Sequence, residues 1–200
     1  MLSFFNKINI SYKILKEINV IKKKKIRFIF YSESKSYQKY SYLLIKTLSN
    51  IYPKEVYYVS SDIKDKIDDP KIINIYIGDG FLRQFFFITI KAENIFLTLT
   101  DLGNHFLKKT KYIKNYIYYF HSPVSTTKVY TKGAFDNYDT ILCNGEYQIQ
   151  EIEQRENLHK LKKKKLIQSG YFYFDHLRDS INQNEKIDKI LVAPSWNYNE

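Results

Sequence analysis

The sequence has little of what the commonest site chemistries require. One cysteine, Cys143, excludes an internal disulfide and a thiolate zinc centre, and this usage fits a reducing cytoplasm. Its neighbours Thr140-Ile141-Leu142 make it a buried, inert thiol by expectation, because free cysteine is among the most buried residue types. With six glycines and four prolines, the chain carries no P-loop and no Gly-x-Ser-x-Gly nucleophile elbow. Gly78-Asp79-Gly80 begins like a dinucleotide fingerprint, but Leu82 and Arg83 follow where a third glycine is due, so it reads as a turn into a helix from Phe81. His105, His159 and His176 lack the paired spacing of a metal site, and no HExxH arrangement occurs; no metal and no cofactor is expected. No uninterrupted apolar run approaches the roughly 20 residues that span a bilayer. The start, Met1 to Val20, is broken by Lys7, Lys13, Lys16 and Glu17 and lacks the order of a signal peptide, so it is expected to stay attached.

What is present is charge and apolar bulk. The chain has 32 Lys and Arg against 21 Asp and Glu, a net +11 that favours an anionic partner. Abundant Lys, Ile, Asn and Tyr with scarce Gly, Pro and Ala is also what an AT-rich coding sequence gives without selection for any ligand. The aromatic residues read as core strands and form no recognisable RNA-binding motif, so no nucleic-acid partner is expected. A hydrophobic fraction of 44% suffices for the core of one domain, or of one domain and the start of a second.

Leu2, Phe5, Ile8, Tyr12, Leu15 and Ile18 recur at three- and four-residue steps, predicting an amphipathic helix over residues 1–24 that ends in the run Lys22 to Lys25. Such a helix suits either an anionic membrane surface or packing on its own domain. Residues 25–178 then alternate short β-rich runs with helical stretches. The runs are Ile26 to Tyr31, Glu55 to Ser60, Ile72 to Ile77, Asn94 to Thr100, Tyr116 to His121, Thr140 to Cys143 and Leu166 to Ser169. Helices are expected over Tyr37 to Leu48 and Glu146 to Leu158. The runs are mostly apolar throughout, as strands covered on both faces are, which predicts an α/β fold with a doubly wound parallel sheet. Residues 179–200 read as a polar linker and the first strand, Ile187 to Ala193, of a truncated second domain.

In such sheets ligands bind beyond the carboxyl ends of the strands. Three neighbouring strands are expected to bring polar residues there: Asp101 after the fourth run, His121 and Ser122 with Ser125, Thr126 and Thr127 after the fifth, and Asn144 and Gly145 after the sixth. An imidazole, with a free pKa of about 6.5, can take a proton from an attacking hydroxyl. His121 is therefore the candidate general base and Asp101 its candidate orienter. Ser122, Ser125 and Thr126 offer hydroxyls to an acceptor or phosphate, and Asn144 with Gly145 suits a helix cap. A histidine at a strand end also serves structurally, and the serines and threonines equally suit helix caps.

The stretch Leu97-Thr98-Leu99-Thr100-Asp101-Leu102, with Tyr116-Ile117-Tyr118-Tyr119-Phe120-His121-Ser122, resembles the N-terminal domain of CDP-glycerol glycerophosphotransferase-like proteins. These make teichoic-acid-type polymers or related surface carbohydrates. The resemblance continues through 132–139, through 140–145, at Gly170-Tyr171, and in Ile190-Leu191-Val192-Ala193-Pro194-Ser195-Trp196. It implies a Rossmann-like, GT-B architecture of two doubly wound domains facing one cleft. It further implies that His121 deprotonates the acceptor hydroxyl, which attacks the β-phosphate of CDP-glycerol or a related nucleotide-activated donor and expels CMP. The family commonly has glycine and threonine after this histidine, where Ser122 and Pro123 stand here. The donor is held chiefly by the second domain, so these 200 residues by themselves are expected to be catalytically incomplete, completed by a C-terminal domain. The implied partners are that donor, a polymer or carbohydrate acceptor and an anionic membrane surface, placing the protein in the cytoplasm at the inner face of the membrane. A GT-B glycosyltransferase using a nucleotide sugar and a non-catalytic accessory module at a membrane surface are the alternative readings.

Overall fold

The computed structural model describes residues 2–100, 102–104, 107–180 and 192. Seven strands form one sheet: β1 (Ile26–Ser32), β2 (Val56–Ser60), β3 (Ile72–Tyr76), β4 (Ala92–Leu97), β5 (Ile113–Tyr119), β6 (Thr140–Cys143) and β7 (Lys165–Gln168). Their order is β3-β2-β1-β4-β5-β6-β7 and every pair is parallel. The helices are α1 (Leu2–Ile21), α2 (Gln38–Ile51), α3 (Gly80–Thr89), α4 (Thr126–Val129), α5 (Glu146–Leu158) and α6 (Phe172–Ser180). The molecule is thus the doubly wound, Rossmann-like α/β domain that the uninterrupted apolar runs predict. The strand expected at Ile187 to Ala193 lies outside the described residues.

Each face of the sheet has its own core, because every inner strand is covered on both sides. On one face Ile29, Tyr31, Tyr57, Ile95, Tyr116 and Tyr118 pack with Ile14, Ile18 and Ile21 of α1, Phe86 and Phe87 of α3 and Ile152 of α5. On the other, Phe28, Phe30, Tyr58, Phe96, Ile117 and Tyr119 pack with Ile45 of α2 and Phe172 of α6. Phe30 and Phe96 stack at 4.2 Å between ring centres. α2 approaches closely because its inner stripe includes Ser41 and Ser49, whose hydroxyls bond back to Gln38 and Lys46 of the same helix. Three polar side chains that look misplaced in strands instead form a ladder across them. Thr140 donates to Asn115, Asn115 to Asn94, and Asn94 to the carbonyl of Arg27, at 2.9, 3.1 and 3.2 Å. A one-residue slip of any strand breaks this ladder, so it fixes the register.

α1 packs on its own domain. Ile14, Ile18 and Ile21 are 4%, 0% and 4% exposed, and burying each contributes about 1.5–3 kcal/mol. Among the described residues no helix is long and apolar enough to cross a membrane.

β4 and β5 begin and end two or three residues earlier than the apolar runs indicate. Their second residues are polar but paired: Glu93 of β4 meets Lys114 of β5 at 3.7 Å and Lys25 at 3.4 Å. Their last predicted residues, Thr98 to Thr100 and Phe120 to His121, have left the ladder and form the loops at the sheet's carboxyl edge. That shift places His121 in a connection, where its ring can face a ligand.

Candidate functional site at the carboxyl edge of the sheet

β1 and β4 are neighbours whose connections leave in opposite directions, β1 toward β2 and β4 toward β5, so the loops after them diverge and open a crevice at the carboxyl edge. His121 stands beside this crevice, two residues beyond the end of β5. Its half-buried ring lies 5.7 Å from the ring of Tyr37 and 5.9 Å from that of Tyr40, both at the start of the helical connection after β1. Tyr171, in the turn that carries the chain from β7 into α6, donates its hydroxyl to the His121 carbonyl at 2.8 Å, and its ring stacks on Tyr40. Two connections besides its own therefore hold this histidine.

Nδ1 of His121 is buried and has no hydrogen-bond partner among the described residues, and the same is true of Oγ1 of Thr98 at the end of neighbouring β4. An unsatisfied buried polar atom costs about 1–3 kcal/mol, and such atoms concentrate where function demands them. Burial also pushes the pKa of His121 down, because desolvation disfavours the imidazolium. The ring is accordingly neutral and able to accept a proton at pH 7. In a proton NMR titration its Cε1–H midpoint, assigned by its absence in His121→Ala, is expected below 6.5. The linkage has a definite sign: the unfolded chain binds the proton first, so this group costs no stability above about pH 6.5. It lowers stability as pH falls from there to the depressed folded pKa.

The serines and threonines that follow act as a cap. Ser125 is the N-cap of α4, its Oγ accepting from the Lys128 N–H at 3.3 Å. Ser125 and Thr126 both donate to Glu151 of α5, at 2.7 and 2.6 Å, and the Thr126 N–H adds a third bond at 2.6 Å. Burial acts to raise the Glu151 pKa, but these donors outweigh it and hold the carboxyl below its ordinary value. Ser122 contributes its carbonyl, which accepts from Asn144 Nδ2 at 3.2 Å. Gly145 is the N-cap of α5 in extended backbone, where a Cβ would come within 3.0 Å of the Tyr147 ring. Fully buried Gln148 joins the two loops, accepting from the Asn144 N–H at 2.7 Å and donating to the Val124 carbonyl at 2.9 Å. The structure thus brings Ser122 and Asn144 together beside His121, and gives Ser125 and Thr126 a bracing role. Asp101 lies outside the described residues.

The stretch from Lys132 to Asp139 fastens this edge from below. Asp136 forms a two-pronged pair with Arg155 at 2.8 and 2.7 Å, which with burial opposing it holds the Asp136 carboxyl below its ordinary value. Asn137 donates to the Leu102 carbonyl at 2.6 Å, Tyr138 donates to the Leu99 carbonyl, and Asp139 accepts the Tyr116 N–H at 3.1 Å. Cys143 is fully buried beneath, its thiol pushed up to about 12 by burial, and is no nucleophile.

Glu33, Tyr37 and Tyr40 are residues of this edge that sequence reasoning does not single out as site residues, and Tyr171, noted there within the resemblance, proves to bond the His121 carbonyl. Glu33 follows β1, partly buried, with Arg83 of α3 at 3.9 Å. Burial pushes its carboxyl up against the pull of Arg83, and its charge in turn raises the pKa of Tyr37 after burial has done most of that work. Only the strand order, which sets β1 next to β4, reveals that the loop after β1 reaches His121.

Two cavities, of about 430 and 440 Å³, do not include His121: the first runs alongside α5 and is lined by Thr126, Asp136, Glu151 and Arg155 among others, and the second lies beside α1. Among the described residues no group of three His, Cys, Asp or Glu is placed to hold a metal ion.

Fold and edge together define a Rossmann-like α/β domain with polar groups gathered beside its switch point. No protein-family model matches the chain, and no curated protein and no solved structure matches it either.

Proposed function

We propose that the chain is the acceptor-side half of a two-domain GT-B transferase. In this reading His121 takes the proton of an acceptor hydroxyl while the oxygen attacks the β-phosphorus of a CDP-linked alcohol phosphate such as CDP-glycerol. A new P–O bond forms to the acceptor, the pyrophosphate P–O bond breaks, CMP leaves with its electron pair, and the proton remains on the imidazole. The acceptor is a surface polymer or carbohydrate, made at the inner face of the cell membrane. The observation that carries the reading is His121 itself: a neutral, half-buried imidazole with an unpartnered buried nitrogen, at the carboxyl edge beside the switch point. In this reading a second domain walls the site. The donor nucleotide is assigned to that domain.

The test joins the chain to a cognate C-terminal domain and follows CMP release with an acceptor present. Release from CDP-glycerol supports the reading; turnover confined to nucleotide sugars makes the protein a glycosyltransferase of the same architecture. Exposed Lys23, Lys24 and Lys25 favour a second reading, a non-catalytic module on an anionic membrane. That module would show vesicle binding that weakens steeply with salt and no turnover with either donor class.

A further inference from the structure

The second cavity has a composition that the transferase reading does not use. It runs between one flank of α1 and the outer face of the β2–β3 edge of the sheet, with a volume of about 440 Å³. Small-molecule sites are clefts of about 300–1,000 Å³, mostly apolar, with a few polar groups that fix orientation. The floor is Tyr57 of β2, Ile73 and Ile75 of edge strand β3, and Ile21 of α1, with half-exposed Val20 on the lip. Lys13, Lys16 and Lys24 line its rim, accompanied by a single acid, Glu17.

This arrangement follows from helix geometry. Residues 13, 16, 17, 20 and 21 recur at three- and four-residue steps and so share one flank of α1, Lys24 follows them in the turn after the helix, and Ile14 and Ile18 on the adjoining stripe are buried in the core. The flank that meets the cavity is therefore a row of ammonium groups beside a strip of branched aliphatic side chains. All three lysines are exposed, and none makes an ion pair among the described residues. A flank that served only for solubility would not need Ile73 and Ile75 left half-covered beneath it.

We infer that this groove binds a single-chain anionic amphiphile as a monomer, its carboxylate or phosphate head among Lys13, Lys16 and Lys24 and its alkyl chain along Ile73, Ile75 and Val20. The floor is aliphatic apart from Tyr57, which suits an alkyl chain better than a nucleobase or sugar. No glycine-rich turn or helix N-terminus opens into it, so it lacks the amide donors of a nucleotide phosphate site. Each buried methylene contributes about 0.8 kcal/mol, so affinity grows with chain length, while the lysines select the sign of the head. The inference stands apart from the transferase reading.

Equilibrium dialysis of the full chain against radiolabelled dodecanoate, kept below its critical micelle concentration, tests this. Saturable binding of one dodecanoate per chain is expected, with butyrate at least tenfold weaker and dodecyltrimethylammonium unbound. The Lys13→Glu/Lys16→Glu/Lys24→Glu variant and Val20→Asp, all at exposed positions, should each weaken dodecanoate at least tenfold with unchanged thermal midpoints. Absence of saturable binding, equal binding of the cationic amphiphile, or full binding by the charge-reversed variant overturns the inference. So does capture by phosphatidylglycerol vesicles without binding of monomeric dodecanoate, since the lysines then act as a flat charged surface.

Discussion

His121→Ala, in the chain joined to a nucleotide-binding second domain, is expected to lose transfer by about 10²- to 10⁴-fold, the range that a positioned general base supplies. Binding of donor should be unchanged, because the cytidine contacts belong to the other domain in this reading. The fold should survive: the imidazole makes edge and tilted contacts with Tyr37 and Tyr40, its Nδ1 has no hydrogen-bond partner among the described residues, and the bond from Tyr171 reaches the backbone carbonyl, which alanine retains. A circular-dichroism melt within a few degrees of the parent checks this. The pH profile separates chemistry from mere support. Burial lowers the imidazole pKa, so the parent's rate should rise with pH through a midpoint below 6.5 and then level. The residual rate of His121→Ala should lack that step. Near-normal turnover removes His121 from the mechanism.

The placement of His121 shows what single-chain reasoning can reach. Strands were legible because doubly covered strands are apolar on both faces, which needs only local pattern; α5 was legible as the polar stretch between two such runs, although its buried stripe of Gln148, Ile152 and Glu156 is itself mostly polar. The ends of the strands were less legible: β4 and β5 start before Asn94 and Tyr116, because Glu93, Lys114 and Asn115 look too polar for a strand until they are seen to pair across the sheet. The adjacency of β4, β5 and β6 was legible, but the place of β1 was not, since the crossover from β3 to β4 passes over two strands before pairing with β1. That crossover decides the site. It sets the loop after β1, with Glu33 and Tyr37, beside the loop after β5, and the return of the chain through Tyr171 adds the third side. Ser125 and Thr126 were visible as hydroxyls, but the partner that turns them into a brace, Glu151, stands 25 residues or more along the chain. Its spacing from Gln148, three residues on α5, is the one local sign that both face the same loop.

Glu156→Ala is expected to cost about 3–5 kcal/mol, the penalty for leaving one member of a buried ion pair uncompensated. The side chains of Glu156 and Lys164 are 2% and 3% exposed and meet at 3.2 Å, and the same carboxylate oxygen accepts the Lys164 N–H at 3.0 Å. Removing it strands an ammonium and an amide together beneath the turn from α5 into β7. A loss of that size is a large share of the 5–15 kcal/mol by which domains are ordinarily stable, so it should be plain as a lowered urea midpoint at unchanged slope. Glu156→Leu with Lys164→Met should recover most of the loss, since exchanging both charges for apolar groups of similar size removes the desolvation cost along with the attraction. The pair also gives the lysine run from 162 to 165 a structural reading. Lys162 lies 3.8 Å from Asp139, Lys163 lies 3.7 Å from Glu156, Lys164 is buried against it, and Lys165 opens β7. β7 is a short edge strand with Thr140 opposite Lys165, and charge at such an edge discourages pairing with another chain. The run therefore anchors and guards the sheet's margin. A Glu156→Ala cost below about 1 kcal/mol would instead mean that the pair is effectively solvated, as surface pairs are.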